Sequence, residues 1–185
     1  VKAAGTAVVT DTTSANAMTY GAVRVDDVAT ASITKVTLDG YASANLGVTG
    51  TDLNALTTLS LANSAGAVDL ATSATTLGLT LNKVTGAIDI DKTAATVTTL
   101  NVTTATKDSA SALTAIAVKD LTVTGTNALN LTGSSLGALE TVVVSGSAGL
   151  NLGAVTAAKS INTTATTGTV TATINAGVAT YTGGD

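Results

Sequence analysis

The sequence contains no cysteine, histidine, proline, phenylalanine or tryptophan. Without cysteine there is no disulfide and no thiolate metal ligand. Without histidine as well, His-based triads and thiol nucleophiles are excluded. Tyr20, Tyr41 and Tyr181 are the only aromatic residues. Aromatics normally bring roughly 150–250 Å² of core area each, so the interior must be filled by Leu, Val, Ile and Ala and is expected to be narrow. Charge is also scarce. Charged residues make up 11% of the chain, the net charge is −4, Arg24 is the single arginine and the lysines are scattered. That leaves no basic patch of the kind nucleic acid requires. No apolar run reaches 18 residues, so no segment reads as a membrane-spanning helix. The chain opens at Val1 with no charged-then-apolar leader and no initiator Met. It is therefore expected to be a processed chain or a piece of a longer protein.

What is abundant is threonine, with 40 residues, in a chain that is 45% hydrophobic. Disordered chains are poor in Val and Leu, so this composition calls for a fold. Thr and Val are β-branched and favour extended backbone. Residues 53–61 read "LNALTTLSL", and the motif returns in degraded form as "AATVTTLNV" (94–102), "LGALETVVV" (136–144) and "VTAAKSINT" (155–163). Its closing strand-like pair begins at Leu59, Leu79, Leu100, Leu121, Val142 and Ile161, in steps of 20, 21, 21, 21 and 19 residues. A second series follows about nine residues behind: "VDL" (68–70), "IDI" (88–90), "LNL" (129–131), "LNL" (150–152) and "VTA" (170–172), with a gap near 109 where the chain reads "DSASA".

The middle residues of these short segments are Ser60, Thr80, Asn101, Thr122, Val143 and Asn162 in the first series. In the second they are Asp69, Asp89, Asn130, Asn151 and Thr171. All but Val143 are polar, which is the period-two alternation of a half-buried strand. A period of 20–21 residues with two short strands in each unit predicts an all-β fold, a parallel β-solenoid, over residues 34–182. Glycines such as Gly86, Gly125, Gly146 and Gly168 fall between the strand pairs, at the turns. Asn130 and Asn151, in equivalent positions, are expected to stack as an amide ladder. The spacing L-x-x-L-x-x-L-x-L also fits the opening of a leucine-rich repeat, but the usual Asn follows only once, as Asn63, and no helix pattern comes after it. Residues 1–33 fit the period poorly. Their strand-like "TAVVT" and "AVRV" are expected to form an N-terminal cap or the end of a preceding module.

The cysteine-free, Thr/Ala/Gly-rich repeats, with stretches such as "KDLTVTGTNALNLTG" (119–133) and "SGSAGLNLGAVTAAKSINTT" (145–164), resemble the solenoid regions of Gram-negative surface-layer (S-layer) proteins. Those are secreted by type I systems and are often built with calcium-binding RTX nonapeptides. The closing "YTGGD" looks like the start of such a nonapeptide, G-G-x-G-x-D-x-U-x. Gly183 and Gly184 hold matching positions within residues 183–185, and the ligand aspartate would lie beyond Asp185. The resemblance implies a structural role in an extracellular lattice at the cell surface. It implies self-association through lateral contacts, and a cell-surface polysaccharide held through another domain. The chain is not expected to be an enzyme, to bind nucleic acid or to insert into a membrane.

Asp69 and Asp89 hold the same outward position in successive coils, Asp91 shares the face of Asp89, and Asp108 falls near the next equivalent position. Calcium takes six to eight oxygen ligands, and Asp69, Asp89, Asp91 and Asp108 are the candidates to supply some of them. The simpler reading is that they are solvated carboxylates screened by Lys83, Lys92 or Lys107. Three N-x-[ST] sequons, at Asn101, Asn130 and Asn162, are about what this content of Asn, Ser and Thr yields by chance. Two other functions suit a Thr-rich solenoid. One is the extended stalk of a large secreted adhesin. The other is ice binding, which needs T-x-T on every coil. Pairing outward residues along the first series gives Ser60/Ala62, Thr80/Asn82, Asn101/Thr103, Thr122/Thr124, Val143/Ser145 and Asn162/Thr164, with a single T-x-T.

Overall fold

A computed structural model of the chain describes residues 6–10, 23–25, 33–47 and 53–183. Strands are numbered β1 to β18 in chain order, and among the described residues there is no helix. The longest sheet has nine strands. It runs β1 (Thr6–Thr10), β3 (Lys35–Asp39), β5 (Thr58–Ser64), β7 (Thr76–Val84), β9 (Thr99–Thr104), β12 (Asp120–Gly125), β14 (Thr141–Gly146), β16 (Ser160–Thr166) and β18 (Thr180–Gly183). Every neighbouring pair is parallel. A second sheet of five parallel strands runs β2 (Val23–Val25), β4 (Ala44–Leu46), β6 (Val68–Leu70), β8 (Ile88–Asp89) and β11 (Leu113–Thr114). A third, of four, runs β10 (Ser109–Ala110), β13 (Leu129–Asn130), β15 (Leu150–Ala154) and β17 (Val170–Thr173). From β3 to β16, each strand of the long sheet is followed by one or two short strands on another face, and the chain then returns one rung further along. This is a parallel β-solenoid of about seven turns. The stretches "TAVVT" and "AVRV" contain β1 and β2, which extend the long and five-stranded sheets by one rung.

The alternation read from the sequence governs the interior. Leu59, Leu79, Leu100, Leu121, Val142 and Ile161 are buried, and Ser60, Thr80, Asn101, Thr122, Val143 and Asn162 face outward. Leu53, Leu56, Leu59 and Leu61 of the opening motif are all fully buried. Each such leucine contributes on the order of 2 kcal/mol by leaving water. Stacking is necessary for that gain, because a single coil covers neither side of its own apolar residues.

One register differs from the expected one. The regular spacing aligned Leu79 with Leu100. In the structure Leu77 stands opposite Leu100, and Leu79 stands opposite Val102. On the other side of β7, Leu59 pairs with Leu79 as expected. The nine-residue β7 therefore serves two alignments. Its Leu79 and Leu81 extend the inward columns of β3 and β5, and its Leu77 and Leu79 begin those of β9, β12 and β14. A slip of two residues keeps every side chain on its own face, whereas a slip of one would turn the leucines outward.

The second series changes sheet at the same coil. β8 is continued by β11, whereas β10 begins the separate four-stranded sheet. The gap at "DSASA" is thus occupied by the two-residue β10, with a serine at its inward position and another just after it. Ser109 and Ser111 are buried. The Val84 N–H donates to Ser109 Oγ at 3.1 Å, and the Ser111 hydroxyl lies 3.4 Å from the Val84 carbonyl as donor. These hydroxyls take up backbone groups where one ladder ends and another starts, which apolar side chains could not do.

The corner after the long strands imposes its own demands. Gly40, Asn63 and Lys83 stack on successive coils, all with left-handed φ of 67°, 51° and 55°. Three residues further on from Asn63 and Lys83, a Cβ on Gly66 would lie 2.0 Å from the Ala42 carbonyl oxygen, and one on Gly86 1.9 Å from that of Gly66. Only glycine allows the coils to approach this closely.

Candidate functional site

The acidic residues picked out by the sequence lie on the five-stranded sheet and just beyond it. Asp69 stands outward on β6 between buried Val68 and Leu70, and Asp89 is its partner on β8. Parallel strands at about 4.8 Å would set like charges against each other, and the surroundings relieve this. Asp69 Oδ2 pairs with Lys92 Nζ at 2.8 Å. Asp89 Oδ1 accepts the Asp91 N–H at 2.9 Å, which fixes the turn behind β8. The Lys92 ammonium is pushed above its ordinary pKa by the hydrogen bond and charge of Asp69.

Asp91 is half-buried. Its Oδ2 accepts the Ile116 N–H from the next coil, and its Oδ1 is buried with no hydrogen-bond partner. Burial pushes this carboxyl above the usual range, the Ile116 N–H opposes that shift, and the charge of Asp89 adds to it. Its unpartnered oxygen is enclosed by protein.

Asp108 does not join the other three. The residue opposite Asp89 is Thr114. Asp108 precedes β10 on the other side of the sheet change, where its Oδ1 accepts the Ala128 N–H at 2.8 Å. The sequence placed it near the acidic column because the regular period hides the change of sheet. Among the described residues, no group of three or more His, Cys, Asp or Glu side chains is placed to hold a metal ion. The lysine partner of the cluster is Lys92.

The four-stranded sheet carries a shallow groove of about 620 Å³. Asp108 stands in it with Asn130, Asn151 and Thr171, and it is the only charged residue in the lining. Asn130 and Asn151 are neighbours, as the sequence implied. They do not form an amide ladder through their oxygens. Asn130 Oδ1 accepts the Thr132 N–H at 2.9 Å, and Asn151 Oδ1 accepts the Gly153 N–H at 3.1 Å. Asn162 and Asn175 do the same two residues ahead. The local bond wins because a backbone donor two residues on is always within reach of the Asn side chain.

Sequence reasoning missed a column of hydroxyls. In the observed register Thr37, Ser60, Thr80, Thr103 and Thr124 stand in line on the outward face of the long sheet. Ser145 follows on β14, one residue after the Val123–Val144 pair. The Thr103 and Thr124 hydroxyls are 3.3 Å apart. Aligning Val102, rather than Leu100, with Leu79 would have revealed it. The outward pairs become Thr58/Ser60, Gly78/Thr80, Asn101/Thr103, Thr122/Thr124 and Val143/Ser145, still with one T-x-T. No protein-family model, curated protein or solved structure matches the chain.

Proposed function

We propose that this chain is a structural segment of a secreted surface-array protein, and that its chemistry is contact between copies rather than turnover. The observation that carries the reading is the parallel β-solenoid, continuous from β3 to β18. Such a body is regular and rigid, so identical copies can meet through identical contacts, and a contact that does not close on itself propagates into an extended array. The low charge of the surface favours close approach, while the net charge of −4 opposes it. A divalent cation shared between copies removes that opposition. Asp89 and Asp108 each have one carboxylate oxygen in a hydrogen bond to backbone, which leaves the other for such a cation. Calcium is therefore expected to promote assembly.

Electron microscopy of the full-length protein tests this, first with millimolar calcium and then with chelator. Ordered sheets that need calcium are the expected outcome. Dispersed single rods under both conditions would overturn the reading and put an adhesin stalk in its place.

A further inference from the structure

The three sheets offer different surfaces to a neighbour. The five-stranded sheet carries the Asp69–Lys92 ion pair and Asp89, charges that a second copy packed on the same face would have to strip of water. The four-stranded sheet is grooved and carries Asp108 at the groove. The long sheet has neither feature. From β5 to β16 its two central outward columns contain only Thr, Ser, Asn, Gly, Ala and Val. Its charged residues, Lys35 and Asp39 on β3, Lys83 near the end of β7 and Asp120 at the start of β12, lie at or next to strand ends. Side chains this short, on strands in register from β5 to β14, make a surface of even height, which a bulge between Val143 and Ser145 interrupts against β16.

We propose that the outward face of the long sheet is where a second copy of this chain packs, sheet against sheet, along the hydroxyl column from Thr37 to Ser145. This rests on the reading of the protein as self-assembling and names the surface it uses. Threonine suits the role because its methyl can be buried between sheets while its hydroxyl both donates and accepts. The Thr103–Thr124 contact runs along the column, and each hydroxyl keeps capacity for a partner across the interface. The face is of moderate size. Six strands, β3 to β14, at about 4.8 Å spacing and about five residues long give a footprint of roughly 480 Å² per copy. The pair then covers about 950 Å², in the range of weak, reversible contacts. In a two-fold contact of this kind, residues near the middle of the column meet their own counterparts.

The chain has no cysteine, so a single introduced thiol reports the contact. Thr103→Cys places it in mid-column, and Thr132→Cys places a control on an exposed site beyond the four-stranded sheet. Under mild oxidation Thr103→Cys should form disulfide-linked dimer roughly tenfold more readily than the control, because the contact raises the local thiol concentration. In sedimentation, Thr80→Lys should remain a folded monomer at concentrations where the wild type associates. Equal cross-linking of the two thiols, or a lysine variant that associates like the wild type, would overturn the proposal. So would a monomeric wild type that slows ice recrystallisation, which would assign the face to ordered water. The outcome separates from that of the array reading. Calcium-dependent sheets unaffected by Thr80→Lys would reject this surface alone. A dimer through Thr103 without sheets would reject the array alone.

Discussion

At the scale of the residue, Asp91 has the most unusual environment. Its carboxyl is raised chiefly by burial, with the charge of Asp89 acting in the same direction. The folded state therefore binds a proton there more tightly than the unfolded chain does. The stability this supplies is complete below the ordinary carboxylate pKa of about 4 and is lost as pH rises through the raised folded value. Asn in its place cannot ionise and still offers an oxygen to the Ile116 N–H. The melting temperature of Asp91→Asn relative to wild type should accordingly increase as pH is raised from about 3 to 7, across the carboxylate range. Thermal unfolding at the two ends of that range checks this, and a constant difference would show that Asp91 does not titrate as described. Nothing in the spacing of "IDID" announces the effect. It comes from burial in the folded molecule, and the Ile116 N–H, 25 residues away in sequence, opposes it.

At the scale of the element, the informative piece is the coil running from β9 to β11. It joins two alignments of the long sheet and carries one strand for each of the two shorter sheets. Its buried serines replace ladder bonds rather than apolar contacts. Ser109→Ala removes the acceptor for the Val84 N–H and should cost about 1–3 kcal/mol, the usual penalty for an unsatisfied buried donor. Ser111→Ala should cost less, because its contact at 3.4 Å is long for a hydroxyl donor. Urea unfolding of the two variants measures both, and a neutral Ser109→Ala would reject the assigned role. In the sequence "DSASA" looked like a missing repeat. The strand is present, and the serines there hide it from a search for apolar alternation.

At the scale of the whole molecule, stability is distributed along one axis, so coils with one covered side should open first. Interior columns such as Leu100, Leu121 and Val142 are sealed on both sides, with at most 1% of each exposed. In the last coil Val170, Ala172 and Ile174 are only partly buried, and Tyr181 is 57% exposed. In a protein of these 185 residues, amides of β17 and β18 should therefore exchange with solvent well before those of β9, β12 and β14. Native-state hydrogen exchange reads this directly. Uniform protection from β9 to β18 would mean that the molecule opens as one cooperative unit.

The sequence by itself determined that this chain is all-β, that it coils with a period near 21 residues, and which residues face inward in the strands that alternate apolar with polar. Those properties are local, since alternation along a strand assigns each side chain to a face whatever its neighbours are. The tertiary structure decided which rung lies against which. A slip of two residues leaves every strand's pattern unchanged, so the choice at β7 fell to packing between coils. From that choice followed the hydroxyl column on the long sheet, and packing at the same coil also set the change of sheet at β10 and β11 and the separation of Asp108 from Asp89. The spacing of residues along the chain carries no record of any of these, because each is a relation between coils.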